Sequence, residues 1–466
     1  MKINLYIKNI LTLSAVLFLV SCEDFVEVAP PDNKLVREEV FRNENTVISA
    51  MNGIYNQLFL ASYINGSSSS ITYLTALSAD NIKNIRTTNL DRLQFEENEI
   101  IPDNEYNYNL WSSAYNSIYL VNSFLEGLSE ATEIDEELRL RLEGESRFIR
   151  AFTYFYLVNL YGEVPLILSS DYTNNALASR TEKEQIYNQI LDDLLMSAEL
   201  LTDTDPREER IQVDVFTVKA FLARFYLYQE QWELASQLSS EVIANTQDFE
   251  LLENLDEVFL ANSKEAIWQL SPIGRGGNTQ TNEGNLFIHS TLLPFFVSNA
   301  IEDDFFQGFT NDDLRLLHWI GYNESLQEFF VYKYKIWNSG DFPITEYSMV
   351  LRLAEQYLIR AESRLHTNNR NGAIADLDII RQRAGLDLIA DINPNINDSE
   401  VLEIIMAERR KELFAEWGHR WFDLKRTDKA TDILGTHSQW EETDLLFPIP
   451  SQERMKNPNL SQNLGY

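Results

Sequence analysis

Cysteine is nearly absent from this 466-residue chain, in which Cys22 is the only one. An intramolecular disulfide framework and a thiolate metal cluster are therefore excluded. Histidine is also scarce. His289, His318, His366, His419 and His437 lie far apart, with no HxxxH-type spacing. Positive charge is short too: 38 Lys and Arg face 72 Asp and Glu, for a formal net charge of −34. Such a surface repels phosphate backbones, which argues against nucleic-acid binding and against adhesion to anionic lipid. Past residue 22 no apolar run reaches the roughly eighteen residues that a membrane-spanning helix needs. What is abundant is apolar and aromatic material, 44% and 12% of the chain. That excludes a disordered chain, and the length alone corresponds to about three domain-equivalents.

The first residues carry an address. Lys2 and Lys8 form a basic segment, and Ile10 to Val20 is an apolar run. This run is too short to cross a hydrocarbon core about 30 Å thick, and it fits the middle of a signal peptide. It ends at Leu19-Val20-Ser21-Cys22, with a small residue before the only cysteine. The expectation is a signal peptide over residues 1–21 and a lipid-modified Cys22. Two or three acyl chains, at about 0.8 kcal/mol per buried CH₂, anchor such a protein without a membrane-spanning helix. Glu23, Asp24 and Glu27 then resemble the surface-export signal of Bacteroidetes lipoproteins. Residues 22–43, with Pro30-Pro31, read as an extended lipidated tether.

Helical periodicity dominates the chain beyond the tether. Val47, Met51, Ile54 and Leu58 repeat at 4-3-4 spacing, as do Ala114, Ile118, Val121 and Leu125. Phe148, Phe152 and Phe155, and then Ile190, Leu194 and Ala198, continue the rule. Two stretches, Val218 to Ile243 and Leu353 to Ile380, read as helix–turn–helix units. Small residues at their crossings suit tetratricopeptide hairpins and generic helical hairpins alike. Trp111 and Trp232 sit at core spacing and read as packing. Periodicity is lost over about 61–109 and about 249–343, where Gly, Asn and Ser cluster. Long irregular insertions on a helical scaffold are where binding groups usually sit.

Catalytic signatures are weak. Asp303-Asp304, Asp312-Asp313 and Glu441-Glu442 are adjacent carboxylates, whereas a glycosidase needs two carboxyls placed across a bond. Gly274-Arg275-Gly276-Gly277 lacks the third glycine of a dinucleotide loop. Asp391 to Asn397 alternates oxygen ligands, but Ile396 and Leu402 fall where a calcium loop needs glycine and glutamate. Asn397 with Glu400 reads instead as a helix capping box. No enzyme activity, metal or cofactor is expected. Aromatics and polar groups of the insertions remain as candidates for ligand contact: Trp319, Tyr322 and Trp337 in the second, and Tyr73 in the first.

The carboxy-terminal third is more specific. Ile404-Ile405-Met406-Ala407-Glu408-Arg409-Arg410-Lys411-Glu412-Leu413 precedes Glu416-Trp417-Gly418-His419-Arg420-Trp421-Phe422-Asp423-Leu424-Lys425-Arg426. The chain closes with Leu446-Phe447-Pro448-Ile449-Pro450 and Asn457 to Tyr466. With Glu145 to Ala151 and Leu160 to Leu166, these motifs resemble the SusD/RagB family of outer-membrane nutrient-binding lipoproteins. The resemblance extends over essentially the whole chain. Glu163 stands where the family often has Asp, and Leu464 where it often has Pro.

The resemblance implies a mainly α fold, a tetratricopeptide-like superhelix of four helix hairpins, with insertions on one face forming a ligand site. Residues 44–466 would then be a single domain. It implies a non-catalytic partner of a TonB-dependent outer-membrane transporter that captures oligosaccharides or polysaccharide, or in some members peptides. A helical-repeat adaptor that binds only proteins is the reading from another class. Glu408, Arg409, Arg420 and Asp423 would pair within or between helices. The starch-binding relatives carry a tryptophan and an asparagine in the loop after the first hairpin. The corresponding stretch here has no tryptophan, and offers Asp80, Asn81, Arg86, Asn89 and Arg92 as polar ligand contacts. The overall acidity disfavours strongly anionic polysaccharides unless the site is locally basic, which Arg86 and Arg92 would allow.

Overall fold

The protein is described from a computed structural model covering residues 37–202, 209–273, 277–290, 294–436 and 439–466. The expected signal peptide, Cys22, most of the tether and Gly274-Arg275-Gly276 lie outside the described residues. Helices dominate, as the periodicity predicts, and the short strands form only two-stranded ladders. Helix α1 (Glu44–Leu60) buries Val47, Met51, Ile54 and Leu58, with Asn43 capping its start. The irregular stretch after it holds more regular structure than its sequence announces. It contains α2 (Ile71–Ser78), buried along its whole length, strand β1 (Ile82–Asn84) and α3 (Leu90–Glu96). It also ends earlier than residue 109, because Asn104 caps α4 (Glu105–Glu130).

Helices α5 (Glu136–Tyr161) and α6 (Lys183–Leu200) come next in the chain, and α5 packs against both α4 and α6. The first predicted hairpin is α7 (Val215–Tyr228) and α8 (Trp232–Ala244), joined through Gln229-Glu230-Gln231. Strand β2 (Ala266–Leu270), α9 (Asn282–Phe287), β3 (Asn299–Ile301), β4 (Ile320–Asn323) and β5 (Glu328–Val331) belong to the second insertion. Strand β6 (Ser348–Arg352) returns to pair antiparallel with β2 and runs straight into α10 (Leu353–His366). Helices α10 and α11 (Arg370–Arg383) form the second predicted hairpin, and α8 packs on α10. Trp232 stacks on His366 across that contact at 4.0 Å between ring centroids. Helices α12 (Asp398–Glu412) and α13 (His419–Arg426) carry the carboxy-terminal motif. Asn397 and Glu400 make the capping box read from the sequence.

Buried charge ties the second insertion to this scaffold. Arg352 binds Glu265 at 3.0 Å, Glu412 at 2.6 Å and Glu416 at 2.8 Å. Arg383 bridges Glu265 and Glu412, while Arg315 binds Asp313, Glu408 and Glu412. Lys333 reaches Glu416 and the Glu412 carbonyl. Burial alone would push the Glu412 carboxyl up, but Arg383, Arg352 and Arg315 hold it well below the usual carboxylate range. The motif residues therefore serve the fold. Arg409 pairs with Asp423 at 2.8 Å, and Arg426 joins Asp423 to Glu362. The tail is bound as firmly: Phe447 donates to the Leu160 carbonyl at 2.9 Å, and Asn463 donates to the Tyr161 and Phe447 carbonyls.

Candidate ligand site

The two irregular insertions meet. β1 from the first pairs antiparallel with β3 from the second, with Ile82 opposite Ile301 and Asn84 opposite Asn299. The pairing extends past both ends, since Ile85 donates to the Ser298 carbonyl and Glu302 to that of Asn81. Lys83, on β1, binds Asp303 at 2.8 Å and Glu328, on β5, at 3.1 Å. Three segments, residues 82–84, 299–303 and 328–331, thus share one assembly.

The hairpin β4–β5 carries an exposed aromatic of this assembly. Its turn is set by Asn323, whose side-chain oxygen accepts from the Ser325 and Leu326 N–H groups. Gly321 opposes Phe330, and a Cβ there would lie 2.2 Å from that ring, so any larger residue would displace it. Tyr322 lies against Phe329 at 4.8 Å, and Phe329 stacks on Phe306 at 3.6 Å. Tyr322 keeps 49% of its surface exposed at the end of this stack. Trp337 is partly exposed, and its backbone carbonyl accepts from Asn285 of α9.

Arg92 organises the other part. Its guanidinium lies over the rings of Tyr73 and Tyr106, at 5.7 and 5.4 Å from their centroids. It donates to the Tyr106 hydroxyl at 3.2 Å and to Ser298 Oγ, from the second insertion, at 2.8 Å. Asn89 caps α3 with its oxygen and donates to the same Tyr106 hydroxyl from its nitrogen. Arg86 reaches across to the Val297 and Pro294 carbonyls at 3.0 and 2.8 Å. Tyr73, Arg86, Asn89 and Arg92 are therefore brought together, with Tyr73 as the buried floor. Burial pushes the Tyr73 hydroxyl up to about 12 although Arg92 draws it down, so it stays neutral.

Three expected contacts lie elsewhere. Trp319 is fully buried, donates its indole N–H to the Leu255 carbonyl at 3.0 Å and sits under the Lys333 ammonium. Its ring packs the core and does not reach a ligand. Asp80 is consumed by Arg420 at 2.7 Å and Arg410 at 2.9 Å. Burial raises its carboxyl, and those two guanidinium groups outweigh burial and lower it. Asn81 is buried, and its side-chain oxygen accepts from Arg410. Both residues pin the base of β1 to the carboxy-terminal motif, a positioning role that loop texture gives no reason to expect. Ser298, Tyr106, Phe306 and Phe329 complete the assembly, and no local sequence signal marks them. Tyr106 belongs to the first turn of a long helix, and Phe306 comes just after an acidic doublet. Nothing in either local pattern points to its partner, Arg92 for Tyr106 and Phe329 for Phe306.

Among the described residues, no group of three or more His, Cys, Asp or Glu side chains is placed to hold a metal. None of their helices is long and apolar enough to cross a membrane. A cavity of about 280 Å³, lined by Phe41, Arg42, Gly127 and Glu130, shares no residue with the assembly above.

A family model described as "SusD family" matches residues 317–466, the stretch that holds much of the buried charge cluster and the tail. A second, "Starch-binding associating with outer membrane", matches residues 24–227. The chain belongs to the SusD/RagB family. A SusD-like protein of Formosa agariphila is 24% identical over 96% of each chain, and another from that organism is 25% identical over 99% of each. Among solved structures, a SusD superfamily protein from Bacteroides vulgatus matches with a TM-score of 0.79 at 20% identity. That match covers 91% of this chain and 100% of the other. A "Laminarin binding SusD-like protein" matches with a TM-score of 0.75 at 23% identity, covering 91% and 100%. Both likenesses are those of a shared, mainly helical SusD fold.

Proposed function

We propose that this SusD/RagB protein captures oligosaccharides at the cell surface and passes them to a TonB-dependent outer-membrane transporter. Residues 44–466 act as one domain, held to the membrane through lipid on Cys22, and binding occurs without catalysis. The observation that carries the reading is the meeting of the two insertions, which puts the half-exposed Tyr322 and the Arg86–Arg92 segment on one assembly. Aromatic faces stack on the C–H faces of sugar rings, while amide, hydroxyl and guanidinium groups bond to sugar hydroxyls. The laminarin-binding fold neighbour and the starch-binding family description support a carbohydrate over a peptide.

The test is calorimetric titration with a panel of starch, laminarin and acidic oligosaccharides. Tyr322→Ala and Trp337→Ala are each expected to weaken binding about tenfold, with unfolding midpoints unchanged. Trp319→Ala is expected to lower stability instead. Peptide binding with no response to any glycan would defeat the carbohydrate reading.

A further inference from the structure

We infer that the captured glycan is acidic, carrying carboxylate or sulfate groups that Arg86 and Arg92 recognise. This inference rests on the glycan-capture reading and narrows it. The chain is strongly acidic, and Arg224, Arg315, Arg352, Arg383 and Arg426, little exposed, all bind carboxylates. Arg86 and Arg92 differ. Arg86 bonds to two backbone carbonyls, and Arg92 to a tyrosine and a serine hydroxyl. Neither meets a carboxylate at ion-pair distance among the described residues. Neutral acceptors fix where a guanidinium points but leave its charge uncompensated, so each remains available for an anion.

The carboxylates around them are committed to other groups. Glu96 accepts from the Asn84 backbone N–H at 3.1 Å and from its side-chain amide at 3.0 Å. Asp303 and Glu328 hold Lys83. Arg86 is exposed, and Arg92 is partly so, held between two tyrosine rings. Both reach the same segment, Pro294 to Ser298, so two uncompensated cations converge on one strip of the assembly. A surface that repels anions overall and sets two guanidinium groups without carboxylate partners on one strip discriminates by position as well as by charge.

The test is calorimetric titration of the full chain with an oligogalacturonate and a sulfated galactan oligosaccharide. The carboxyl-reduced and desulfated forms of the same sugars are titrated alongside. At least one acidic form is expected to bind about tenfold or more tightly than its neutral counterpart, and to weaken as salt rises. Which of the two binds separates carboxylate from sulfate recognition. Arg86→Gln and Arg92→Gln should each remove about tenfold of the preference for the acidic form. Arg92→Lys, which keeps the charge, should keep most of that preference, and Arg454→Gln, an exposed arginine elsewhere, should change nothing. Equal affinity for acidic and neutral forms overturns the inference and leaves glycan capture standing. So does an equal loss toward both forms in the glutamine variants. Polyglutamate binding as tightly as the acidic sugars overturns it as well, and binding of no sugar at all removes both readings.

Discussion

Replacing Glu412 by alanine is expected to cost about 3–5 kcal/mol of folding stability, read from urea unfolding. Glu412 is fully buried and stands where Arg352, Arg383 and Arg315 converge. Taking it away leaves three guanidinium groups with only Glu265, Glu408, Glu416 and Asp313 to share. A buried pair gains little over a well-packed apolar isostere, but removing one partner strands the other charge in a medium that cannot solvate it. Glu412→Gln, which keeps the shape and part of the hydrogen bonding, should cost less than the alanine variant.

The same residue sets an acid limit. Its carboxyl is held well below the unfolded value of about 4.3, so its stabilisation is fully present above that value. It is lost progressively as pH falls toward the depressed folded value. Glu416 and Asp423 shift in the same direction, because Arg352 and Arg409 respectively outweigh the effect of burial. Stability should therefore decline from about pH 5 downward, and the Glu412→Ala variant should show a shallower decline. A wild type whose stability is flat from about pH 6 to about pH 3 would contradict the charge cluster.

Phe152→Ala is expected to cost about 3–5 kcal/mol as well, through a cavity rather than a charge. The Phe152 ring is fully buried on α5 and touches the rings of Tyr156, Phe221, Trp268 and Trp417 within 5.4 Å. Those partners come from α5 itself, from α7, from β2 and from the carboxy-terminal motif, so one side chain fills a junction of four segments. Such a site cannot collapse around the missing ring without moving helices, and the cost sits at the upper end of the large-to-small range. A loss under about 1 kcal/mol in urea unfolding would mean that the junction repacks.

The scaffold is legible in the sequence because its rules are local. Apolar spacing along α1, α4, α5 and α6 marks core faces that are buried as predicted, and Asn397 with Glu400 announces a cap that exists. The motif residues are legible by type, since Arg409 and Asp423 pair as expected. The candidate ligand face is legible only as two regions of lost periodicity. That these regions meet depends on the β1–β3 pairing, which joins residues more than two hundred positions apart and leaves no local trace. Trp319 misleads for a related reason: a tryptophan outside a helical stripe looks exposed, yet this one is roofed by Lys333 and bonded to Leu255. Asp80 and Asn81 mislead because their true partners, Arg410 and Arg420, lie in a motif more than three hundred residues further along the chain.

Hydrogen exchange with and without the tightest-binding oligosaccharide of the panel is the most direct test that the two insertions form one ligand face. Segments 82–92, 294–301 and 320–339 should gain protection together, because they form one assembly around the sugar. Protection confined to other segments, such as those lining the cavity at Phe41 and Glu130, with these three unchanged, would contradict it.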